Sequence, residues 1–169
     1  LFINTTYCPG QIFVVWEAGG GSPRRKALYP EYKANRSQTP CDLIPQFDLV
    51  RQACDVLGVA RAEHEGYEAD DLIASYAFQM KTIVSQVVIL SSDKDLMQLV
   101  TPSVYMIDPI KQKKIDEQAV VEKFGVMPEK VIDVQALIGD SSDNIPGAPG
   151  IGPKTAAELI LQFGTLDNL

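Results

Sequence analysis

The sequence contains a single histidine, His64, and three widely spaced cysteines, Cys8, Cys41 and Cys54. Because His64 has no histidine or cysteine partner nearby in the sequence, we assign it no catalytic role. An odd number of cysteines without a C-x-x-C pair argues against a disulfide framework and against a structural zinc site. The cysteine pattern therefore favours a reducing, cytoplasmic setting.

Long apolar runs are also absent. No stretch approaches the roughly 20 apolar residues that a membrane helix needs, and no signal peptide with a basic start and a small-residue cleavage site is visible. The 169 residues, 46% of them hydrophobic, suffice for one domain with a core, or for one domain and a small appendage. These absences predict a soluble protein with no membrane partner.

The acidic residues are concentrated in three short clusters. The formal net charge of −7 would ordinarily count against a nucleic-acid partner. The clusters contain Glu68, Asp70, Asp71, Asp93, Asp95, Asp140 and Asp143. The other 15 of the 22 acidic residues are matched by 15 lysines and arginines, so the surface outside the clusters is neutral on balance. A nucleic-acid partner is therefore not excluded.

The first cluster lies within Gly66–Asp71, directly ahead of a predicted helix. An apolar pattern at helical spacing follows it and continues to Met80. Like charges this close repel one another, and a helix N-terminus offsets only about 0.3 to 1 kcal/mol per exposed charge. Acidic pairs are common as helix caps, but three carboxylates at this spacing also suit a bound cation.

Two apolar runs rich in branched side chains, Ile12–Trp16 and Val87–Leu90, predict strands buried on both faces. Glu17 follows the first run, and the Asp93-Lys94-Asp95 cluster comes shortly after the second. Further elements are predicted as strands at 59–60 and 104–107 and as a helix at 44–57. The alternation indicates an α/β fold with a mostly parallel central sheet flanked by helices. Since ligands bind at the carboxyl edge of such sheets, we expect Glu17 and Asp93 to emerge together there.

The C-terminal part is predicted to be helical. Asp116 is predicted to cap a helix that ends at Gly125, and Pro128 to start a second helix that Gly139 closes. A third helix ends at Phe163, and the glycine-rich turn before it offers backbone N–H groups suited to a phosphate.

A basic segment follows the glycine-rich break at residues 19–21. It contains Arg24, Arg25, Lys26, Lys33 and Arg36, with Tyr29 and Tyr32 between them. Pro30 argues against one uninterrupted helix here. Such a run can be a solvated surface face. It can also be a mobile electrostatic clamp that holds phosphates while the aromatic rings stack on bases.

Carboxylates without histidine or cysteine are hard oxygen ligands, which favour Mg²⁺ or Mn²⁺ over zinc. Mg²⁺ accepts only one or two protein carboxylates, so the seven clustered acids imply two or more ions. Metal pairs about 3.5 to 4 Å apart clamp the attacking and leaving oxygens in phosphodiester hydrolysis. Each cluster alone suits a cap or a turn, but their conjunction at the ends of predicted elements favours this chemistry.

Two other phosphate-handling classes match the sequence less well. Phosphatases of the haloacid dehalogenase type also have a D-x-D motif directly after a strand, and a G-D-x-x-x-D motif later in the sequence. Here Ser91 and Ser92 push the acids away from the strand, and Gly139–Asp143 is one residue short. A nucleotide-binding P-loop is excluded because Pro153 directly precedes Lys154.

Four segments, in this order, resemble the 5′ nuclease family: Tyr32–Arg36, Gly66–Asp71, Ser91–Asp95 and Gly139–Thr155. The similarity is closest to the 5′ to 3′ exonuclease domain of bacterial DNA polymerase I, and it covers nearly the whole chain from Ile12 onward. It implies a metal-dependent 5′ to 3′ exonuclease or 5′ flap endonuclease with a two-metal mechanism. The implied partner is nicked, flapped or 5′-ended duplex DNA.

The resemblance also implies roles for individual residues. The implied metal ligands are Glu17, Glu68, Asp70, Asp71, Asp93, Asp95, Asp140 and Asp143. The implied catalytic set is Glu68, Asp70, Asp71, Asp93, Asp95, Lys33 and Arg36. The implied DNA-binding set is Arg24, Arg25, Lys26, Tyr32, Lys33, Arg36, Gly150, Gly152, Lys154 and Thr155. A K⁺ ion is implied at the glycine turn.

The same resemblance divides the chain at residue 125. Residues 1–125 are expected to form the α/β nuclease core, in which residues 19–40 form a basic arch. Residues 126–169 are expected to form a helix-hairpin-helix subdomain that grips the duplex backbone. We expect a monomer associated with the nucleoid. The sequence leaves open whether a polymerase domain belongs to the same natural chain.

The chain departs from the family pattern in two places. The family has an N-terminal strand ending in a metal-binding Asp, which nothing before Ile12 matches, and Glu17 stands where the family has Asp. Because Leu1 is not an initiator methionine, we expect the beginning of the natural protein to lie outside this sequence. If that strand was never encoded, the alternative to an active nuclease is a structure-specific DNA-binding module with impaired catalysis.

Overall fold

The computed structural model describes residues 9–19 and 22–169, and the chain divides into two units. The first unit comprises Leu1–Ala27 and Ser37–Leu72, and the second comprises Leu28–Arg36 and Ile73–Leu169. Cys8, the segment before Pro9 and two of the three glycines at 19–21 lie outside the described residues. Within the described ranges, no helix is long and apolar enough to cross a membrane.

The first unit is built on a short parallel strand pair. Its elements, in chain order, are β1 (Phe13–Val15), α1 (Pro23–Leu28), α2 (Ile44–Val56) and β2 (Ala60–Ala62). β1 pairs with β2, and the Trp16 amide extends the pairing by donating to the Ala62 carbonyl at 2.8 Å. The prediction that β1 is buried on both faces is wrong, because Phe13 is 47% exposed. Within the described residues β1 has a paired neighbour on one side only.

Helix α3 (Ala69–Met80) begins in the first unit and ends in the second, at the residue that its apolar spacing predicts. The second unit then continues with strands and helices. Its further elements are β3 (Val87–Leu90), a 3₁₀ helix (Asp95–Leu99), β4 (Val104–Asp108), β5 (Lys113–Ile115), α4 (Glu117–Phe124), a 3₁₀ turn (Pro128–Lys130), α5 (Val131–Ile138), β6 (Gly139–Asp140), β7 (Ile145–Pro146), α6 (Pro153–Phe163) and a last 3₁₀ turn (Leu166–Asn168).

The strand pairings confirm the α/β class. β3 runs parallel to β4, as predicted, while β5 returns antiparallel after a turn in which Asp108 Oδ1 accepts the amides of Ile110 and Lys111. The described strands form a parallel pair, a three-stranded sheet and the β6–β7 hairpin. The order of strands along the chain favours parallel pairing, but it does not specify which strands are neighbours.

The core of the second unit lies between β4 and helices α4, α5 and α6. Its largest fully buried side chains include Val104, Met106, Val120, Val134 and Ile160. β3 contributes on one face only, since Ile89 is buried while Val88 and Leu90 remain partly exposed. The prediction that β3 is buried on both faces is therefore wrong within the described residues.

The ends of the helices in this unit follow their predicted signals. Asp116 Oδ1 accepts the Ala119 amide at 3.2 Å as the N-cap of α4, and Gly125, at φ 74°, ends that helix. A positive φ of this kind is readily adopted by glycine. The second predicted helix begins as the 3₁₀ turn at Pro128 and continues as α5 up to Gly139.

Two glycines allow the β6–β7 hairpin to pack directly on the end of α5. A Cβ atom at Gly147 would lie 2.3 Å from the carbonyl carbon of Ile138, and one at Gly139 would lie 2.3 Å from the Gly147 nitrogen. The Ala148 amide donates to the Leu137 carbonyl at 2.7 Å across the same contact. The loop that carries Asp140 is thus anchored backbone to backbone.

We expect Gly147→Ala to destabilise the protein by about 3 kcal/mol or more, because the added methyl group would overlap main-chain atoms that cannot yield cheaply. Urea unfolding followed by circular dichroism measures the change. The matched control is Gly152→Ala, where a Cβ meets no atom within 4 Å, with an expected cost below about 1 kcal/mol. Equal stability of the two variants would contradict the backbone contact.

Candidate functional site

The acidic cluster of the first unit is organised around the start of α3. The Ser22 hydroxyl donates to Glu68 Oε1, and Glu68 is almost fully buried. Asp71 Oδ2 accepts the Glu68 amide at 3.0 Å, a bond that reaches back over the first turn of the helix. Asp70 is half-buried beside them, and Glu17 is exposed beyond the carboxyl end of β1. The same strand-end and helix-start positions were predicted from the sequence.

Two arginines of α1 contact this segment within the first unit. The Arg25 guanidinium contacts both oxygens of Asp71, at 2.7 and 2.8 Å, and lies 3.9 Å from Glu68 Oε2. Arg24 donates to the Tyr67 hydroxyl at 2.7 Å and stacks over that ring, 4.2 Å from its centroid. Bidentate guanidinium–carboxylate pairs are among the stronger charged contacts in proteins, so α1 is held firmly against this segment.

In the second unit, Asp93 lies on the turn beyond β3 and Asp95 begins the 3₁₀ helix, while Asp140 ends β6 and Asp143 lies on the loop that follows. The Asp93 amide donates to Ser91 Oγ and the Asp95 amide donates to Asp93 Oδ1, both at 3.0 Å. Asp95 Oδ1 also accepts Gln135 Nε2 from α5 at 2.5 Å. These bonds fix the direction of both carboxylates.

Asp140 is the most heavily hydrogen-bonded of these acids. Its Oδ1 accepts the Ser142 amide at 2.7 Å, the Ser142 hydroxyl at 2.5 Å and the Asp143 amide at 3.3 Å. Its Oδ2 forms an ion pair with Lys94 Nζ at 2.9 Å. Burial favours the neutral carboxyl, but the bonds from Ser142 and the contact with Lys94 outweigh it and lower the Asp140 pKa to about 2.

Side chains of the basic segment, which lies more than a hundred residues earlier in the sequence, contact Asp143. Arg36 donates to Asp143 Oδ1 at 2.7 Å, the Tyr32 hydroxyl donates to Oδ2 at 3.0 Å, and Lys33 Nζ lies 3.9 Å from Oδ2. The Asn35 side chain donates to the Ser141 carbonyl at 2.7 Å. Residues 28–36 therefore pack on the β6–β7 loop within the second unit.

The charges of Asp93, Asp95 and Asp140 act on one another. Burial raises the Asp95 pKa above its ordinary value, the hydrogen bond from Gln135 opposes that rise, and the charges of Asp93 and Asp140 add to it. Within the described residues, however, no three acidic, histidine or cysteine side chains stand close enough to hold an ion. The donor chemistry suits a hard cation. The ion pairs show that basic side chains engage several of these carboxylates.

The predicted phosphate turn also has the expected local form. Gly150 has φ 79°, Gly152 is the N-cap of α6, and Lys154 and Thr155 are exposed in the first turn of that helix. The first backbone N–H groups of a helix have no partner within it. Beside this turn, a cavity of about 300 Å³ is lined by residues that include Lys123, Phe124, Lys154 and Leu161.

Sequence reasoning missed four residues that orient or neutralise the carboxylates: Ser22, Lys94, Gln135 and Ser142. Ser142 and Lys94 lie inside acidic clusters, so a polar side chain directly beside the acids was the signal that could have identified them. Gln135 lies within α5, 40 residues from Asp95, and no local pattern in the sequence marks it.

Comparisons with known proteins identify the family of this chain. A family model described as "5'-3' exonuclease, N-terminal resolvase-like domain" matches residues 2–125, and one described as "5'-3' exonuclease, C-terminal SAM fold" matches residues 126–169. The chain belongs to the 5′-3′ exonuclease family, which confirms the resemblance seen in the sequence. The family match gives no support to the haloacid dehalogenase alternative.

Similar proteins include DNA polymerase I of Rhizobium leguminosarum, 57% identical over 145 residues, or 86% of this chain and 14% of that protein. The 5′-3′ exonuclease of Bacillus subtilis is 41% identical over 97% of this chain and 56% of its own length. The structure of the T5 D15 protein co-crystallised with metal ions matches with a TM-score of 0.87 and 26% identity, over 99% of this chain and 66% of that one. The chain thus spans only part of each relative.

We expect Asp140 to make folding stability depend on pH. Its folded pKa of about 2 lies below the ordinary value of 3.8. The ionised carboxylate therefore stabilises the fold above about pH 4, and this contribution is lost as the pH falls towards 2. Because Lys94 is 37% exposed and solvent screens the pair, the expected size is about 1 to 2 kcal/mol.

Urea unfolding in EDTA between pH 5 and pH 2 measures this contribution. The wild type should lose more stability over that interval than Asp140→Asn, whose side chain does not titrate. Parallel curves for the two proteins would contradict the assignment.

Proposed function

We propose that this chain hydrolyses DNA phosphodiesters as a 5′ to 3′ exonuclease and 5′ flap endonuclease. The observation that carries the proposal is the group of acids in the second unit, where Lys94, which lies between Asp93 and Asp95 in the sequence, pairs with Asp140 Oδ2 at 2.9 Å. Like charges are held together here at a cost that a bound cation would relieve. The exonuclease family models and the relatives named 5′-3′ exonuclease in Bacillus subtilis and Aquifex aeolicus support it.

The cofactor is inferred to be Mg²⁺ or Mn²⁺, with two or more ions. The proposed ligands are Glu17, Glu68, Asp70 and Asp71 of the first unit and Asp93, Asp95, Asp140 and Asp143 of the second. Such ions, when bound, lower the pKa of an attacking water and stabilise the leaving oxygen. The T5 D15 protein, co-crystallised with metal ions, supports the inference.

Several side chains of this protein would prepare the carboxylates for that task. The Ser22 hydroxyl orients Glu68, Gln135 orients Asp95, and the Ser142 hydroxyl and amide orient Asp140. Positioning of this kind removes the entropy that free side chains would otherwise lose during the reaction. Lys33 and Arg36 are proposed to complete the catalytic set by binding the phosphate that is cut.

Duplex DNA with a nick, a flap or a 5′ end is the proposed substrate. The basic segment would contact phosphates through Arg24, Arg25, Lys26, Lys33 and Arg36, with the Tyr32 ring beside them. The α6 N-terminus, with Gly150, Gly152, Lys154 and Thr155, would grip the backbone, aided by a K⁺ ion. A T5 D15 flap endonuclease solved in a pseudo-enzyme-product complex with DNA and metal ions, 25% identical with a TM-score of 0.86, supports this assignment.

The domain division is proposed to fall at residue 125, between a nuclease core with a basic arch at residues 19–40 and a helix-hairpin-helix subdomain. The two family models, which meet between residues 125 and 126, support the division. A polymerase domain in the same natural chain is supported by relatives named DNA polymerase I, of which this chain spans 14% and 19%. Action as a monomer on cytoplasmic, nucleoid DNA completes the proposal.

Asp93→Ala is expected to abolish cleavage of a 5′-labelled flap duplex in Mg²⁺ or Mn²⁺, while binding of that duplex in Ca²⁺ changes little. The physical reason is the loss of a proposed metal ligand whose negative charge does not help to hold DNA phosphates. Gel analysis of products and fluorescence anisotropy give the two readouts. Asp48→Ala, at a side chain that is 77% exposed, is the matched control and should cleave normally.

Undiminished cleavage by Asp93→Ala would remove Asp93 from the proposed ligand set. Flap binding in Ca²⁺ without product from the wild type would favour the alternative, a DNA-binding module with impaired catalysis. A folded wild type that neither binds nor cleaves the flap duplex would overturn the proposed function.

Replacing Lys33 and Arg36 together with alanine is expected to weaken DNA binding and to flatten its salt dependence. Each phosphate contact adds about 0.9 to the slope of log K against log salt concentration on B-form DNA, so the slope should fall by about two. Titrations at several salt concentrations measure it. The control is Lys113→Ala with Lys114→Ala, on exposed positions of β5; an equal loss of slope in both variants would contradict specific contacts.

A further inference from the structure

Lys94 stands between two of the proposed metal ligands and contacts a third. Its backbone links Asp93 to Asp95, and its ammonium group lies 2.9 Å from Asp140 Oδ2. The Asp140 side chain is only 10% exposed, whereas Lys94 is 37% exposed. All four residues belong to the second unit.

The two oxygens of Asp140 are used differently. Oδ1 accepts three hydrogen bonds, from the Ser142 amide, the Ser142 hydroxyl and the Asp143 amide. Since a carboxylate oxygen offers about two lone-pair directions, Oδ1 has no capacity left. Oδ2 therefore remains for a cation, and Lys94 Nζ occupies that position.

The Lys94 ammonium group can leave Asp140 Oδ2 without movement of the main chain. Lysine carries its charge on a flexible four-carbon stem, so rotation of side-chain bonds alone moves the ammonium group. The negative charges of Asp93 and Asp95 also act on Lys94. A divalent ion at Oδ2 would repel the ammonium group and would itself be attracted by the charges of Asp93 and Asp95.

We propose that Lys94 is a resident counter-cation of Asp140 that a divalent ion must displace. Lys94 thereby sets the affinity of the second unit's carboxylates for that ion. The inference rests on the proposed function, because it presupposes that Asp140 is a metal ligand. It assigns Lys94 a positioning role that contacts neither DNA nor the reacting atoms.

The test measures Mn²⁺ binding to the whole chain by isothermal titration calorimetry at constant pH, without DNA. Lys94→Met should bind Mn²⁺ about tenfold more tightly than the wild type, because the internal competitor is gone. Lys94→Arg should bind no more tightly than the wild type. Lys113→Met removes the same charge from an exposed position of β5 and should stay within about twofold of the wild type.

Unchanged or weaker Mn²⁺ binding by a folded Lys94→Met would overturn the counter-cation role while leaving the metal site intact. A wild type that binds no Mn²⁺ would overturn the proposed metal site itself, and the inference with it. The two failures are therefore distinguishable in one series of titrations.

A second measurement covers the case in which Lys94→Met fails to fold. Reductive methylation with ¹³C-formaldehyde labels the lysines of the wild type, and NMR then follows each methyl resonance during addition of Mg²⁺. The Lys94 signal should move towards the position of an exposed lysine, while the Lys113 signal should not move. A Lys94 signal that is unchanged at saturating Mg²⁺ would overturn the proposal.

Discussion

Repulsion between neighbouring carboxylates is the constraint on which the functional part of this structure depends. In the first unit, Arg25 spans Asp71 and approaches Glu68, and in the second unit Lys94 meets Asp140 and Arg36 meets Asp143. Several of these acids are thus balanced by a cation of their own unit. Lysine and arginine side chains that stand among the acids offset part of the repulsion.

Much of this fold was predictable because the signals are local. The spacing of apolar residues predicted α3 up to Met80, Asp116 and Gly125 marked the two ends of α4, and Pro128 and Gly139 enclosed α5. The acids of the second unit were predictable for the same reason. They follow the end of β3 or occupy a turn rich in Asp, Ser and Gly, and both patterns are short.

The remainder depends on contacts between distant parts of the chain. Gln135 meets Asp95 only after α5 has packed beside the turn beyond β3, so its role has no local signature. β5 was not predicted because Lys113 and Lys114 interrupt its apolar pattern, and its place is set by pairing with β4. The exposure of β1 depends on which strands lie beside it. The pattern of hydrophobic residues along the chain does not specify those neighbours.

Helix α5 supports both carboxylate positions of the second unit. Its Gln135 side chain holds Asp95, and its last residues press through Ile138 against the Gly147 backbone of the loop that carries Asp140. A displacement of α5 would therefore carry Asp95 and Asp140 in the same direction. Because both acids move with the same helix, the distance between them is less sensitive to core substitutions than the position of either one.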